Sequence, residues 1–417
     1  MKPLTSLRLA VAVVLGACHS VTDPSRPALL VANLAGAPPI TLTVLGTLGP
    51  GPGFCLFPSS EPLDINERGL VVGWSDSACI VRGFMWENGT MTSLGTFGPV
   101  AVNNHDQIVG DRIDPKVPFP FSPTRGFLLD HGTMTDLGTL GGEVSQVAGV
   151  NDHGQIVGQS STAAGAFHAF LWEGGTMTDL GTLGGNVSEA VAVNDRGQVV
   201  GNSATATGAG HAFLWQDGTM TDLGTLGGDA ARVSAVNDHG QVVGISTTAT
   251  GETRAFLWQD GAMTDLGTLG GRSSDAHTVN KHGQIAGLSD TPSGETHVFL
   301  WQGGTMSDLG RPGPPQWSFS GTLKMNDRGQ IVGTLRFAAS LQGGNCFLWQ
   351  AGTITQLPGQ PGVTVALNNH NQIVGWSYYF SDPFRNAVLW TVGQPDDQNE
   401  QVAEGPGDLS DSMVGGS

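Results

Sequence analysis

The chain has 417 residues, and its 36 acidic side chains outnumber its 18 basic ones, which gives a formal net charge of −18. An acidic chain with so few lysines is a poor ligand for phosphate backbones, so we expect no nucleic-acid partner. This length is enough for two or three ordinary domains. One repeating pattern nevertheless runs from residue 40 to residue 392, so a single large body is predicted.

The first residues have the features of an export signal. Lys2 and Arg8 precede an apolar run, residues 9–17, that is too short to span a bilayer, so residues 1–17 are predicted to be a signal peptide. The run ends in the letters Leu-Gly-Ala followed by Cys18, which resemble the lipobox of bacterial lipoproteins. This resemblance implies lipidation of Cys18, attachment to a membrane and a place in the bacterial cell envelope, at the outer membrane or cell surface. An ordinary signal peptide with an incidental cysteine is the alternative.

The segments that flank the repeats show no strand pattern. Residues 18–39 are rich in proline and alanine and are expected to form a lipidated tether. Residues 393–417 hold six acidic side chains, no basic one and no aromatic one, so this tail is predicted to be disordered.

A Phe-hydrophobic-Trp triplet recurs along the chain, mostly at intervals of 43 residues. Its last position is occupied by Trp86, Leu129, Trp172, Trp215, Trp258, Trp301, Trp349 and Trp390. An asparagine that begins a tight turn recurs with the triplet, at Asn66, Asn103, Asn151, Asn194, Asn237, Asn280, Asn326 and Asn368. Fixed periods of this length indicate a repeat architecture.

Each unit is predicted to contain four short strands. In the unit that ends at Trp215, β-forming runs occupy residues 177–181, 190–194, 198–203 and 211–215, and glycine and polar residues separate them. No stretch keeps a 3.6-residue apolar period, so we expect almost no helix.

Two tight turns set the predicted strand register. The fourth position of the asparagine turn is glycine in six units and Asp106 or Asn371 in the other two, which predicts a left-handed backbone there. The Asp217-Gly hairpin places Phe213 opposite Asp222.

Four-stranded units of about 43 residues predict an all-β fold, an eight-bladed β-propeller. The fourth strand of the last unit, residues 386–390, has no strand after it, and the first strand of the first unit, residues 41–45, has none before it. Pairing these two strands closes the ring and removes two unpaired edges. An open β-solenoid and a ring of seven blades are the alternatives.

Two motifs carry a family resemblance. The triplets that begin at His168 and His211 read His-Ala-Phe, and the flanking letters Leu-Gly-Thr-Leu-Gly-Gly and Asn-Asp-Arg-Gly-Gln-Val-Val-Gly begin at Leu180 and Asn194. Together they resemble the HAF extracellular repeat family over nearly the whole mature chain. The resemblance implies export and a propeller-like repeat, and it implies no reaction or ligand.

The position that opens the fourth strand is basic in six units. It holds Arg82, Arg125, His168, His211, Arg254 and His297. A ring of bases is a candidate site for an anionic ligand. The alternative is a structural cross-strand pair with an aspartate eleven residues later. We favour the pair because Gln356 replaces the acid where Asn345 replaces the base.

The irregular insertions follow the first or third strand of a unit, so they emerge on one face, which we name the loop face. They belong to units one, two, seven and eight, which become neighbours in a closed ring. Their aromatic side chains are candidate ligand-binding residues: Phe119, Phe121, Trp317, Phe319, Tyr378, Tyr379 and Phe380. Stacking on sugar rings suits a surface lipoprotein. Packing of these aromatics over the strand ends is the alternative.

The remaining motifs indicate no metal site and no cofactor. Cys55 and Cys79 share the first repeat and are candidates for a disulfide, whereas Cys346 is expected to be a small buried hydrophobe. No spaced acid pair or nucleophile motif is evident. We therefore expect a non-enzymatic binding or scaffold module for a glycan or an envelope protein, with a propeller polysaccharide lyase or hydrolase as the alternative.

Overall fold

A computed structural model describes residues 29–32, 39–49, 59–77, 80–112, 124–314, 317–337, 344–359, 361–378 and 385–393. Within these ranges every helix-or-strand element is a β-strand. The signal peptide, Cys18, the disulfide candidates Cys55 and Cys79, and residues 394–417 lie outside the described residues. In the described part, no helix has the length and apolar character needed to cross a membrane.

The strands form eight successive antiparallel groups, which we name sheets 1 to 8. Two strands precede sheet 1: β1 (Leu29–Ala32) and β2 (Ile40–Gly46). Sheet 1 contains β3 (Ser60–Ile65), β4 (Val71–Ser77), β5 (Ile80–Glu87) and β6 (Thr90–Gly95). Sheet 2 contains β7 (Phe97–Val102), β8 (Ile108–Arg112), β9 (Gly126–Asp130) and β10 (Thr133–Asp136).

The middle of the chain repeats this arrangement. Sheet 3 contains β11 (Gly141–Val150), β12 (Ile156–Thr162), β13 (Phe167–Glu173) and β14 (Thr176–Asp179). Sheet 4 contains β15 (Gly184–Val193), β16 (Val199–Thr205), β17 (Gly210–Gln216) and β18 (Thr219–Asp222). Sheet 5 contains β19 (Gly227–Val236), β20 (Val242–Thr248), β21 (Thr253–Gln259) and β22 (Ala262–Asp265). A single parallel residue pair, Phe167 with Val187, joins sheets 3 and 4.

Three sheets complete the described chain. Sheet 6 contains β23 (Ser274–Val279), β24 (Ile285–Asp290), β25 (Thr296–Gln302) and β26 (Thr305–Gly310). Sheet 7 contains β27 (Trp317–Met325), β28 (Ile331–Phe337), β29 (Asn345–Gln350) and β30 (Thr353–Gln356). Sheet 8 contains β31 (Gly362–Leu367), β32 (Gln372–Tyr378) and β33 (Arg385–Val392), and β2 and β1 extend it.

Strand β2 therefore completes the last sheet of the chain. Thr41 lies opposite Thr391 and Val44 lies opposite Val388. Strand β1 pairs with the outer side of β2, whereas the sequence predicted a patternless tether for residues 18–39. The run Leu-Leu-Val at residues 29–31 is rich in β-formers, and the seven-residue β2 offers it a long open edge.

The turns set the register that the sequence predicted. Phe213 lies opposite Asp222, and Trp215 lies opposite Met220. Asp106 and Asn371, which stand where six other turns have glycine, have φ angles of 62° and 63°. The left-handed backbone predicted at these two positions is therefore present.

The core lies between successive sheets. Each of the eight buried clusters draws its residues from two neighbouring groups, and one of them joins Leu389 of sheet 8 to Phe84 of sheet 1. The phenylalanine of the repeated triplet is the fully buried member, since Phe213 has no exposed area. The recurring tryptophans are core residues to different degrees. Trp86, Trp172 and Trp390 are buried, whereas Trp215, Trp258, Trp301 and Trp349 are half-buried and pack against the buried clusters.

In five sheets a glycine in the second strand makes room for this phenylalanine: Gly73, Gly158, Gly201, Gly287 and Gly333. At Gly201 a Cβ atom would meet the ring of Phe213 and the main-chain oxygen of Glu189. Glycine is therefore needed there for close packing of the ring and strand β15.

Candidate functional site

Most of the loop-face candidates fall outside the described ranges. Phe119, Phe121, Tyr379 and Phe380 lie outside the described residues. Trp317 is described by its backbone only, which pairs with Phe337 in the β27–β28 ladder. Two candidates, Phe319 and Tyr378, have described side chains.

These two aromatic side chains pack over the strand ends. The ring of Tyr378 meets that of Trp376 edge-on, with ring centroids 5.6 Å apart. The ring of Phe319 meets that of Phe347 in the same way at 6.2 Å. Both Tyr378 and Phe319 are half-buried. For these two residues the structure shows the packing that the sequence offered as the alternative to a ligand contact.

An arginine at this face connects sheet 8 to sheet 1. Arg385 Nη1 lies 2.5 Å from Glu61 Oε1, and Arg385 Nε donates to the Tyr378 hydroxyl at 3.2 Å. The guanidinium carbon lies 4.9 Å from the centroid of the Trp376 ring. The hydrogen bond with Tyr378, followed by that with Glu61, raises the pKa of Arg385. This cluster fixes the ends of β32 and β33 against β3.

In four sheets the base at the start of the third strand, which is the fourth strand of the sequence unit, forms a cross-strand pair with an aspartate. The pairs are Arg125 with Asp136 at 3.1 Å, and His168 with Asp179, His211 with Asp222 and His297 with Asp308, each at 2.9 Å. In each histidine pair Nδ1 faces both carboxylate oxygens. These bases are engaged within their own sheets.

Two of the six bases differ. Arg254 pairs with Glu252 at 2.6 Å, so its expected pairing with Asp265 was wrong. Glu252 is two residues earlier and thus on the same side of the extended chain. Arg82 is half-buried opposite Ser75 in the β4–β5 ladder. The position eleven residues later, where other units have the aspartate, holds Ser93.

The tight turns form the opposite face, which we name the turn face, and Asn194 shows how they are joined. Its Oδ1 accepts from the main-chain N–H of Arg196 at 3.1 Å and of Gln198 at 3.0 Å. Its Nδ2 donates to Gln198 Oε1 at 2.7 Å and to the main-chain oxygen of Asn237 at 2.9 Å. The four hydrogen-bonding positions of this buried amide are therefore satisfied.

The same bond links every turn to the next. Each of the eight recurring asparagines donates from Nδ2 to the main-chain oxygen of the following one, and Asn368 donates to Asn66. The series therefore returns to its first member. The sequence indicated only a bond within each turn, because contacts between turns about 43 residues apart are not visible in local patterns.

The residues that follow these asparagines surround a cavity of about 410 Å³. Its acidic members are Glu67, Asp152, Asp195, Asp238 and Asp327, and Lys281 is basic. One oxygen of Asp195 accepts the main-chain N–H of Asp152 at 2.9 Å, and similar bonds recur around the rim. Within the described ranges, no three His, Cys, Asp or Glu side chains are placed to hold a metal ion.

Two half-buried carboxyl groups with raised pKa values were missed by the sequence analysis. Asp64 accepts main-chain N–H groups of Val102 at 3.0 Å and of Ile65 at 2.9 Å, and burial raises its pKa to about 6. Asp111 accepts the N–H of Val147 at 3.1 Å, and burial raises its pKa to about 7. A comparison of repeats would have flagged Asp64, since most other units have alanine or glycine there.

The side chain of His277 is also held by a neighbouring sheet. Its Nδ1 accepts the main-chain N–H of Leu323 at 2.9 Å, and its Nε2 lies 3.2 Å from Asp275 Oδ2. Cys346 is fully buried, as expected.

No family model matches the chain, and no curated protein matches it. Among solved structures, the β-propeller domain of the Trilobed protease from Pyrococcus furiosus is similar at 10% identity, with a TM-score of 0.48 over 72% of this chain and 97% of that one. An acylaminoacyl peptidase from Pyrococcus horikoshii has 12% identity and a TM-score of 0.44 over 73% of this chain and 52% of that one. TolB from Acinetobacter baumannii has 11% identity and a TM-score of 0.38 over 75% of this chain and 77% of that one. Similarity this distant transfers no activity to the chain.

Proposed function

We propose that this chain is an exported, lipid-anchored β-propeller of the HAF-repeat kind, with eight blades closed by β2, that acts as a non-enzymatic binding module. Three contacts between the chain ends support closure. Strand β2 pairs with β33, Asn368 donates to Asn66, and Arg385 pairs with Glu61. Closure brings units one, two, seven and eight together, and these carry the irregular loop-face insertions.

One observation favours binding over catalysis. Two polar residues that depart from the repeat are already held by main-chain groups of the next sheet. Asp64 accepts from Val102, and His277 accepts from Leu323. These side chains stabilise junctions between sheets, which is the role of a scaffold. The ligand of such a module is a glycan or an envelope protein, contacted through the loop face.

A glycan array tests this assignment. We compare the mature chain with the triple variant Tyr378→Ala, Tyr379→Ala, Trp317→Ala. We expect the wild type to bind at least one glycan class and the variant to lose it. The control Met134→Ala removes an exposed apolar side chain on β10, away from the loop face. Unchanged binding by the triple variant would refute the loop-face assignment.

The rival function, a polysaccharide lyase or hydrolase, has one supporting observation. Asp64 has a pKa of about 6 and is influenced by the positive charge of Lys324, which is on β27, two sheets away along the ring of contacts. A carboxyl group poised in this range is suited to proton transfer. Release of reducing or unsaturated ends from polysaccharides by the wild type, and its loss in Asp64→Asn, would favour the enzyme.

The proposed anchor has its own test. We expect metabolic labelling with a palmitate analogue to mark the wild-type protein in the membrane fraction. The Cys18→Ser variant should lose both the label and the membrane association, because one residue would carry all the acyl chains. Labelling that persists in the variant would rule out Cys18 as the anchor.

A further inference from the structure

A second cavity lies on the turn face, where residues of sheets 6, 7 and 8 meet. Its volume is about 360 Å³, within the range of roughly 300–1,000 Å³ typical of small-molecule sites. The residues that matter for its chemistry are Leu300, Arg328, Gln330, Trp349, Gln350 and Asn371. We name this cavity the Trp349 groove.

The side-chain amide oxygens of the groove already accept hydrogen bonds from within the protein. Asn326 Nδ2 donates to Gln330 Oε1 at 2.6 Å, and Gln330 Nε2 donates to Gln350 Oε1 at 3.1 Å. Arg328 Nη1 donates to Asn371 Oδ1 at 3.0 Å. The side-chain nitrogens of Gln350, Asn371 and Arg328 therefore keep N–H groups for a ligand. A groove lined by donors favours a ligand rich in acceptor oxygens.

The groove also presents an aromatic ring. Trp349 is half-buried, and no protein acceptor within the described ranges binds its indole N–H. The fully buried Trp390, by contrast, donates its indole N–H to the main-chain oxygen of Pro358 at 2.8 Å. Trp349 and Leu300 together give the groove an apolar wall beside the row of donors.

No other repeat combines these features. The junction after sheet 4 has Arg196, Trp215 and the amide pair of Gln198 with Gln216, but Gly240 stands where the Trp349 groove has Asn371. The junction at sheet 1 has Arg68, but Leu70 and Glu87 replace the two glutamines. Among the turns that the structure describes, only the one at the Trp349 groove has an asparagine that holds the arginine beside an uncharged amide pair.

We propose that the Trp349 groove binds a carboxylated saccharide, namely a uronic acid residue of an oligosaccharide or polysaccharide. The apolar face of the pyranose packs on Trp349 and Leu300. The carboxylate accepts from Arg328, and ring hydroxyls accept from Gln350 and Asn371. This assignment rests on the proposed binding function, but it places the site on the turn face rather than on the loop face.

Calorimetric titration of the mature chain with a galacturonic acid trisaccharide, and with the matching neutral galactose trisaccharide, tests the assignment. We expect the uronate to bind about tenfold more tightly, because charge-assisted hydrogen bonds are roughly twice as strong as neutral ones. The variant Asn371→Gly restores the residue found in six repeats and releases Arg328. It should lose about tenfold in uronate affinity, and Trp349→Phe, which removes the indole N–H, should lose severalfold.

The equivalent substitution in sheet 4, Trp215→Phe, is the matched control and should leave uronate binding unchanged. Melting temperatures of all variants show whether each has folded. Equal affinity for the two trisaccharides, or equal affinity of Asn371→Gly and wild type, would overturn the assignment. Loss of uronate binding in the loop-face triple variant alone would overturn the groove but keep the binding function. If the mature chain binds no saccharide at all, both the groove and the glycan part of the binding function fail.

Discussion

At the scale of single residues, Asp111 has a neutral counterpart elsewhere in the chain. Asn202 occupies the same position in sheet 4, and its Oδ1 accepts the main-chain N–H of Val233 at 3.0 Å, as Asp111 does for Val147. The hydrogen bond therefore does not need a charge. Burial raises the pKa of Asp111 to about 7, so its ionised form is disfavoured in the folded protein.

We predict that Asp111→Asn stabilises the protein more at pH 8 than at pH 5. The folded-state pKa of Asp111 lies above its unfolded value, so the stability it contributes is complete below pH ~4 and is lost as pH rises through about 7. The asparagine removes this loss. The advantage of the variant in unfolding free energy should grow by roughly 1–2 kcal/mol between the two pH values, allowing for partial solvent contact. Urea denaturation at both pH values measures it.

The reverse substitution provides the control. Asn202→Asp should introduce at least as large a loss of stability between pH 5 and pH 8, because its carboxylate would also face Glu189 Oε1, to which Asn202 Nδ2 now donates at 3.1 Å. A difference between Asp111→Asn and wild type that is the same at both pH values would contradict the assignment of the raised pKa to Asp111.

Residue-scale features were predictable from the sequence only where the cause is local. The left-handed backbone at Asp106 follows from its place in the turn. What its side chain does depends on a distant residue: Asn66 Nδ2 donates to Asp106 Oδ1 at 2.8 Å. In other turns the asparagine Nδ2 donates to a glutamine four residues later, but in unit one that position holds Leu70. The pairing of Arg254 with Glu252 was missed because repeat comparison favoured the common partner over a nearer one.

At the scale of elements, the asparagine turn joins each sheet to the next. We predict that Asn194→Asp destabilises the protein by about 2–4 kcal/mol, because a carboxylate would face two oxygens that now accept from Asn194 Nδ2. The substitution keeps the size and the accepting oxygen of the side chain, so only the donor is lost. Thermal or urea unfolding at pH 7 measures the change.

The neighbouring position is the control for this prediction. Asp195→Asn keeps the oxygen that accepts the N–H of Asp152, so its effect should stay within about 0.5 kcal/mol, as for most surface substitutions. Equal unfolding free energies for both variants would show that the bond between turns contributes nothing.

Elements were predictable because each strand and hairpin repeats in eight copies. The Asp217 turn alone fixed the pairing of Phe213 with Asp222, since hairpin register follows from turn length. The division of burial between phenylalanine and tryptophan was not predictable in the same way. The two residues are two positions apart, so their side chains lie on the same face of the strand. Only the packing of the next sheet shows which of the two side chains is covered. Strand β1 was missed because it pairs only with β2. The place of β2 in the last sheet depends in turn on its pairing with β33, at the other end of the chain.

At the scale of the whole molecule, two kinds of contact recur between each sheet and the next. Buried side chains of one sheet pack on the next, and the asparagine bonds follow the same order, including the step from sheet 8 to sheet 1. The period of the sequence indicates such stacking. The candidate site was less predictable, because the Trp349 groove depends on Asn371 contacting Arg328 of the preceding repeat. A comparison of the repeats position by position flags Asn371 as unusual without showing its partner.

A disulfide between the chain ends tests the proposed ring directly. Thr41 and Thr391 lie opposite each other in β2 and β33, so Thr41→Cys with Thr391→Cys should form a disulfide in a background with Cys346→Ala and the other native cysteines replaced by serine. The new bond encloses roughly 350 residues, and the chain-entropy model predicts a gain of about 5–6 kcal/mol in unfolding free energy. The melting temperature under oxidising and reducing conditions measures this gain. The single variant Thr41→Cys should show no such difference. Failure of the pair to oxidise in the folded monomer would mean that the ends lie apart, and the eight-bladed ring would have to be abandoned.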